Sequence, residues 1–113
     1  GVVELATNAE TQAGADATRA VTPAALASFA KSLAANGYCK LPGGLVVQWG
    51  AATASEAGAT VTFPVAFPAA CRSVTATYAS AGDKISLGVS TLSTTGFKLH
   101  GWAYTAYWIA VGY

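Results

Sequence analysis

The sequence predicts a mainly β domain, an antiparallel sandwich or compact barrel, that follows a short helical segment and exists as a homo-oligomer. Two observations predict the β class: apolar residues recur with a period of two from Tyr38 onward, and Gly-rich turns separate the runs. A third observation predicts the oligomer. Of the 113 residues, 53% are apolar and only 10% are charged, which is more apolar surface than one small domain can bury.

The final stretch, Tyr104 to Tyr113, contains no charged residue on either face of the predicted strand. One face carries Tyr107, Ile109, Val111 and Tyr113, and the other carries Trp108, Ala110 and Gly112. A strand with one face in water alternates apolar with polar residues. We therefore expect one face to be covered by its own subunit and the other by a second copy, with Tyr113 itself packed.

Residues 1–21 differ in composition from the rest, because they hold three of the five acidic residues and no aromatic residue. Thr7 to Glu10 fits a capping box, in which the Thr hydroxyl and the Glu carboxylate satisfy each other's backbone amides. This signal predicts a short helix from about Asn8 to Ala13 that ends at Gly14.

A second helix is predicted over about Ala24 to Ala35, with Thr22 as N-cap, Pro23 in the first turn and Gly37 at the C-terminal end. Its apolar stripe consists of Leu26, Phe29, Ala30 and Leu33. Three turns are marginal alone in water, so the stripe predicts contact with sister helices. We therefore divide the chain into a linker and helical stem, residues 1–37, and a β tip, residues 38–113.

The β tip contains several short strands, each with a face defined by its apolar residues. These sets are Leu45, Val47 and Trp49; Val61 and Phe63; Val74, Ala76 and Tyr78; Ile85, Leu87 and Val89; and Phe97 and Leu99. Pro64 and Pro68 interrupt the chain and predict an edge or a bend between them.

Charge and targeting signals argue against several classes of function. The net charge is +1 and the basic residues are scattered, whereas nucleic-acid binding needs a concentrated positive face. No apolar run reaches the ~18 residues that a membrane helix needs, and no signal peptide is visible. Cys39 and Cys71 either form one disulfide or remain free, and the free-thiol interpretation is favoured because buried Cys behaves as a small apolar residue.

Few residues are suited to catalysis or metal binding. Glu56 and Asp83 are the carboxylates of the β region; they could act as a glycosidase pair, but solvated loop acids are the favoured interpretation. His100 is the only histidine, and the chain lacks metal-ligand spacing. Three copies of His100 on a threefold axis would form a ligand set, although an outward polar residue is the favoured interpretation.

Aromatic residues are concentrated near the end of the chain. Tyr and Trp rings stack on sugars while their polar atoms reach hydroxyl groups. Trp108 and Tyr113 are better explained as core and subunit contacts. Trp102 and Tyr104 follow Gly101 in a predicted loop, where ligand contact and packing are equally good interpretations.

Several motifs resemble segments of tail fibre proteins from tailed phages and prophages. Val3 to Pro23 is similar to their repeat-like linker. Four further segments look like their C-terminal receptor-binding domain: Tyr38 to Gly50, Thr62 to Cys71, Thr95 to Phe97, and Tyr107 to Tyr113. Together the segments span nearly the whole chain, and the ordered set KLPGGLVVQWG, FPVAFPAAC and YWIAVGY is the most specific part.

The resemblance implies a homotrimeric, non-enzymatic β-sandwich tip of a virion tail fibre that is assembled in the cytoplasm of the bacterial host. It also implies attachment to a bacterial surface glycan, often lipopolysaccharide, or to an outer-membrane protein. Contractile-tail bacteriocins carry related tips. Some phage tips hold iron through His-x-His pairs, but His100 stands alone, so no metal or other cofactor is predicted. Neither nucleic-acid binding nor membrane insertion is predicted.

Five residues are predicted to contact the receptor: Asp83, Lys84, His100, Trp102 and Tyr104. The first two lie in a predicted turn, Ser80 to Lys84, and would hydrogen-bond sugar hydroxyls or phosphates. The two aromatic side chains would stack on sugar rings. Two alternatives remain: a depolymerase that cuts the glycan with Glu56 and Asp83, and a purely structural trimerisation cap.

Overall fold

The computed structural model of the chain describes residues 2–80 and 86–113. Two short helices come first: α1 is Asn8–Ala13 and α2 is Pro23–Leu26. Eight strands follow: β1 (Lys31–Ser32), β2 (Gly37–Lys40), β3 (Val46–Thr53), β4 (Ala59–Thr62), β5 (Cys71–Tyr78), β6 (Leu87–Ser90), β7 (Gly96–Gly101) and β8 (Thr105–Gly112). Within the described ranges, no helix has the length and apolar character to cross a membrane.

The strands form two antiparallel sheets that pack face to face as a sandwich. The larger sheet has the order β1-β2-β3-β8-β5 and the smaller has the order β4-β7-β6. Strands β5 and β6 lie in contact along one side of the sandwich. The predicted mainly β, antiparallel sandwich is therefore confirmed.

The core between the sheets is built largely from aromatic rings. Phe63 contacts Phe67, Phe97 and Trp108, with ring centroids 5.0, 5.7 and 5.7 Å apart. Leu99 lies in the same cluster and is fully buried. These residues come from both sheets and from the loop after β4, so the aromatic cluster joins the two layers.

Strand β8 lies inside the larger sheet and separates a buried face from an open one. Ala106, Trp108 and Ala110 point into the sandwich and are at most 4% exposed. Tyr107 and Ile109, on the opposite face, are 56% and 48% exposed in the single chain. The predicted alternation along this strand is confirmed, and one of its two apolar faces remains uncovered by the chain itself.

The backbone of Tyr113 is held beside the loop that precedes β5. The residue is nevertheless 43% exposed in the single chain, so the expectation that it is packed holds for its backbone only. Its backbone oxygen accepts hydrogen bonds from the amides of Ala69 and Ala70, at 2.7 and 2.8 Å. The Arg72 guanidinium lies 5.1 Å from the centroid of the Tyr113 ring, and its Nε donates to the Tyr113 hydroxyl at 2.9 Å. These contacts join the end of β8 to the start of β5.

The predicted capping box and first helix are confirmed. Thr7 and Glu10 exchange their side-chain hydrogen bonds with each other's amides, and Gly14 ends α1 at φ +67°. Arg19 then closes the segment by pairing with Glu4 at 3.1 Å, with Glu10 at 3.0 Å and with Asp16. Hydrogen bonds from the backbone amide of Thr18 and from Arg19 hold the pKa of Asp16 well below its usual range.

The predicted helix over Ala24 to Ala35 is wrong beyond its first turn. Thr22 caps α2 as expected, but the helix ends at Leu26 and the chain turns into β1. Gly37 begins β2 instead of ending a helix. The segment after Leu26 therefore provides no helix for the bundle of sister helices that the apolar stripe predicted.

Non-local contacts explain why this segment is not helical. Strand β1 pairs with β2 through Lys31 and Cys39, and the Trp49 indole donates to the Ala34 carbonyl at 3.1 Å. Asn36 accepts a hydrogen bond from the Ala51 amide at 2.9 Å. Pairing with β2 and the Trp49 indole satisfy backbone groups of this segment, whereas a three-turn helix alone in water is marginal. Leu26 and Leu33 of the predicted stripe remain exposed in the single chain.

The cysteines Cys39 and Cys71 are half-buried free thiols. Burial raises the pKa of the Cys71 thiol, while a hydrogen bond to the backbone of Ser73 opposes the shift. The favoured free-thiol interpretation is confirmed.

Gln48 is a fully buried polar residue that links β3 to the loop after β4. Its side-chain Nε2 donates to the Val65 carbonyl at 2.6 Å, and its Oε1 accepts from the Val65 amide at 3.0 Å. The Gln48 amide thus substitutes for a neighbouring strand. Pro64 and Pro68 keep this loop out of a regular ladder, so its backbone depends on the side chain.

Replacing Gln48→Leu should lower the free energy of unfolding by ~2–4 kcal/mol, because both polar groups of Val65 lose their partners inside the protein. Chemical denaturation measures this change. The control is Gln12→Leu, since Gln12 is exposed and its bonds go to Ser28 at the surface. Equal stabilities for the two variants would contradict the assigned role of Gln48.

Candidate functional site

Trp102 and Tyr104 form an aromatic ledge at the end of the sandwich, in the short connection from β7 to β8. Their side chains are 58% and 50% exposed. The connection is tight, because the Tyr104 amide donates to the Trp102 carbonyl at 2.7 Å. The Tyr104 carbonyl in turn accepts from the Ala54 amide at 3.2 Å. The two rings are thus presented to solvent on a backbone that is fixed at several points.

Tyr78, at the end of β5, anchors this ledge from below. The Trp102 amide donates to the Tyr78 hydroxyl at 2.6 Å, and the hydroxyl lies 3.3–3.4 Å from the carbonyls of Trp102 and Ser86. The Tyr78 and Tyr104 rings meet edge to face with centroids 6.1 Å apart. A Cβ at Gly101 would collide with the Tyr78 hydroxyl, so glycine is required for this approach.

The sequence assigned Tyr78 only to the apolar face of a strand and missed its second role. The residues that it holds are separated from it by 24 positions along the chain. The available signal was a tyrosine at the end of a strand, immediately before a polar turn. The hydroxyl of a half-buried tyrosine usually finds a hydrogen-bond partner, and here the partners are backbone groups of the candidate site.

His100 is half-buried and both of its ring nitrogens have partners. Nε2 lies 2.5 Å from the Ser90 hydroxyl, and Nδ1 lies 3.3 Å from the Glu56 carbonyl oxygen. A Cβ at Gly58 would lie 2.7 Å from the ring, so the imidazole packs directly on that glycine. His100 therefore fixes the loop after β3 against the smaller sheet, beside the ledge.

A shallow depression lies next to the ledge and joins it to the loop after β3. Its lining residues are Glu56, Ser86, Leu87, Gly88, His100, Gly101 and Trp102. Of the five predicted contact residues, His100 and Trp102 line this depression. Tyr104 does not line it, but its ring contacts that of Tyr78, whose hydroxyl binds the backbone of Trp102. Asp83 and Lys84, like the remainder of the predicted turn after Ser80 and the strand residue Ile85, lie outside the described residues.

The site offers stacking surfaces, hydroxyl groups and one carboxylate, that of Glu56. Its predicted catalytic partner, Asp83, lies outside the described residues. Among residues 2–80 and 86–113, no three His, Cys, Asp or Glu side chains form a metal-binding group. What the described geometry supports is non-covalent contact with a ring-shaped, hydroxyl-bearing ligand.

Comparison with known proteins identifies tail fibre proteins as relatives of this chain. Residues 40–113 match the model of the C-terminal domain of gp53-like tail fiber proteins. A search of curated protein sequences finds no significant relative.

Solved structures of pyocin tail fibres share this fold. An N-truncated R2-type pyocin tail fibre is 29% identical with a TM-score of 0.67, over 80% of this chain and 41% of the fibre. The P. aeruginosa R2 pyocin fibre is 29% identical with a TM-score of 0.68, over 84% and 30%. An N-truncated R1-type pyocin tail fibre is 28% identical with a TM-score of 0.62, over 74% and 84%.

The chain thus spans less than half of the length of the two R2 fibre structures that it matches. The family match begins at residue 40 and includes most of the segments on which the resemblance to tail fibres was based. That resemblance is confirmed, and the chain belongs to the family of gp53-like tail fibre proteins, of which residues 40–113 form the C-terminal domain.

Proposed function

We propose that this domain is the receptor-binding tip of a tail fibre and attaches a phage or phage-tail-like particle to a glycan on the bacterial surface. In this proposal the tip is a homotrimer without enzymatic activity. It is carried on the virion or particle after assembly in the host cytoplasm, and lipopolysaccharide is the leading candidate receptor. The aromatic ledge carries the proposal, because Trp102 and Tyr104 are at least half exposed while Tyr78 fixes their backbone.

Fixed aromatic rings suit weak recognition of sugars. Stacking on Trp and Tyr faces requires apolar area at the surface, and a fixed backbone reduces the entropy lost on binding. Ser86 and Glu56 lie beside the ledge and provide polar groups for sugar hydroxyls. His100, whose ring nitrogens already have partners, positions the loop that carries Glu56. The depression is open and shallow, as expected for a side-on contact with a surface polymer.

The outer face of the larger sheet supports the homotrimer. Register places Trp49, Ile109 and Thr75 side by side across β3, β8 and β5. The neighbouring rows on this face contain Val47 with Val111 and Ala51 with Tyr107. The part of the face formed by β3 and β8 therefore carries no charge, and Lys31 lies at the β1 end of the Val47 row. Burying Ile109 and Tyr107 against sister copies would stabilise the assembly by ~1.5–3 kcal/mol per large apolar side chain.

A trimer also strengthens attachment without any additional contact. Three linked copies of one ledge raise the effective concentration of the second and third binding events, and avidity gains of ~10²–10⁴ follow when the geometry allows simultaneous contact. The predicted division at residue 37 shifts in this proposal, because β1 (Lys31–Ser32) and Gly37 belong to the larger sheet. We therefore assign the residues before β1 to the linker that joins the tip to the rest of the fibre. The extent of 64 Å along one axis, against 25 and 18 Å along the others, fits a tip with a trailing linker.

Replacing Trp102→Ala should weaken binding at each site by roughly 30-fold or more, the usual cost of truncating a Trp at the centre of an interface. Adsorption to strains with defined surface-glycan defects measures the loss. The control is Leu92→Ala, because Leu92 is 42% exposed and lies in the turn between β6 and β7. Trp102 follows the opposite end of β7. Unchanged adsorption of the Trp102 variant would refute the ledge as the contact site.

Replacing Ile109→Lys should break the trimer, since the charge would have to be buried among apolar groups. The wild-type unfolding temperature should rise with protein concentration by mass action, and the variant should lose this dependence and unfold at lower temperature. Leu92→Lys, which adds the same charge at a similarly exposed position, should behave as wild type. Retention of concentration dependence in the Ile109 variant would contradict the proposed subunit contact.

A further inference from the structure

A second polar recess lies on the side of the sandwich, where two strand edges face each other. Strand β2 pairs only with residues 46–49 of β3, so the C-terminal part of β3 has β8 as its single described neighbour. Strand β4 has β7 as its single described neighbour. We call the recess between these edges the β3–β4 groove. Its walls include Asn36, Ala52, Thr60, Thr62, Pro64 and Trp108.

Trp108 lines this groove and carries an unused hydrogen-bond donor. Its side chain is only 4% exposed, and its Nε1 is buried with no hydrogen-bond partner. A buried donor without an acceptor costs about 1–3 kcal/mol, and such groups in folded proteins normally have a partner. An acceptor that enters from the groove would remove this cost.

The composition of the walls indicates which acceptor fits. Thr60 and Thr62 are exposed hydroxyl side chains, and the open edge of β4 offers further backbone groups. Ala52 and Pro64 add small apolar surfaces. A matching group therefore combines one strong acceptor, one donor and a methyl-sized apolar part.

We propose that the β3–β4 groove binds an N-acetylated sugar, whose acetamido carbonyl oxygen accepts a hydrogen bond from the Trp108 indole N–H. The acetamido N–H then donates to a threonine hydroxyl or to the edge of β4, and its methyl group packs on the apolar wall. Because Nε1 is shielded from solvent, the ligand reaches it only after a side chain of the groove wall turns aside. This inference rests on the proposed function only in that the ligand is a glycan.

The test is an indole N–H titration of the complete ¹⁵N-labelled chain by NMR. The three indoles report different places: Trp49 donates to the Ala34 carbonyl, Trp102 lies on the ledge, and Trp108 lies in the groove. Trp49→Phe and Trp102→Phe variants assign the three resonances. N-acetylglucosamine should shift the Trp108 resonance downfield in a saturable manner, while glucose at equal concentration should not.

A variant in the groove wall makes the test quantitative. Thr62→Val keeps the shape of an exposed side chain and removes its hydroxyl, and it should weaken N-acetylglucosamine binding roughly fivefold, as expected for one neutral hydrogen bond. A Trp108 resonance that does not respond to N-acetylglucosamine would overturn the proposal, and an ordered water would then be the acceptor. An equal response to glucose would overturn the acetamido assignment.

The outcome is separable from that of the proposed function. If the Trp108 resonance is silent but adsorption depends on Trp102, the groove is wrong and attachment through the ledge stands. If the Trp108 resonance responds but no strain is bound, the groove is a sugar site and the attachment function is wrong.

Discussion

The uncharged outer face of β3 and β8, in the larger sheet, is the constraint on which the other features depend. Strand β8 lies inside that sheet, and its inward residues complete the aromatic core together with Phe63 and Phe97. The same strand therefore cannot avoid presenting Tyr107 and Ile109 on the opposite side, where they are about half exposed in one chain. This apolar row continues across β3 through Trp49. Burial against sister copies therefore accounts for the row better than exposure to water does.

In the proposed trimer one sheet face is buried among the copies, so the loops and the smaller sheet are left to face the environment. The aromatic ledge lies at such a loop, held by Tyr78, and the β3–β4 groove lies on a neighbouring side. Rigid backbone and exposed rings favour weak, repeated contacts over one deep pocket. This arrangement suits a fibre domain that meets a repeating polymer, and membership of the tail fibre family agrees with it.

Burial patterns explain why much of the β tip could be predicted from the sequence. Alternation identified the strands around Val61, Val74, Phe97 and Ile109, since a period of two is set by burial within each strand. The segment after Leu26 could not be predicted in this way: its apolar residues have helical spacing, but pairing of β1 with β2 satisfies the backbone instead. The tethers of Tyr78 and Gln48 were also missed, because they join residues 24 and 17 positions apart.

Sedimentation equilibrium of the wild-type chain tests the central claim most directly. If sister copies cover the outer face of the larger sheet, the particle mass should be three times the chain mass of 11.3 kDa, and it should stay so on dilution to low micromolar concentration. A folded particle of one chain mass, with the β8 amides protected from exchange as in a native sheet, would show that water covers Tyr107 and Ile109 without cost and would contradict the account.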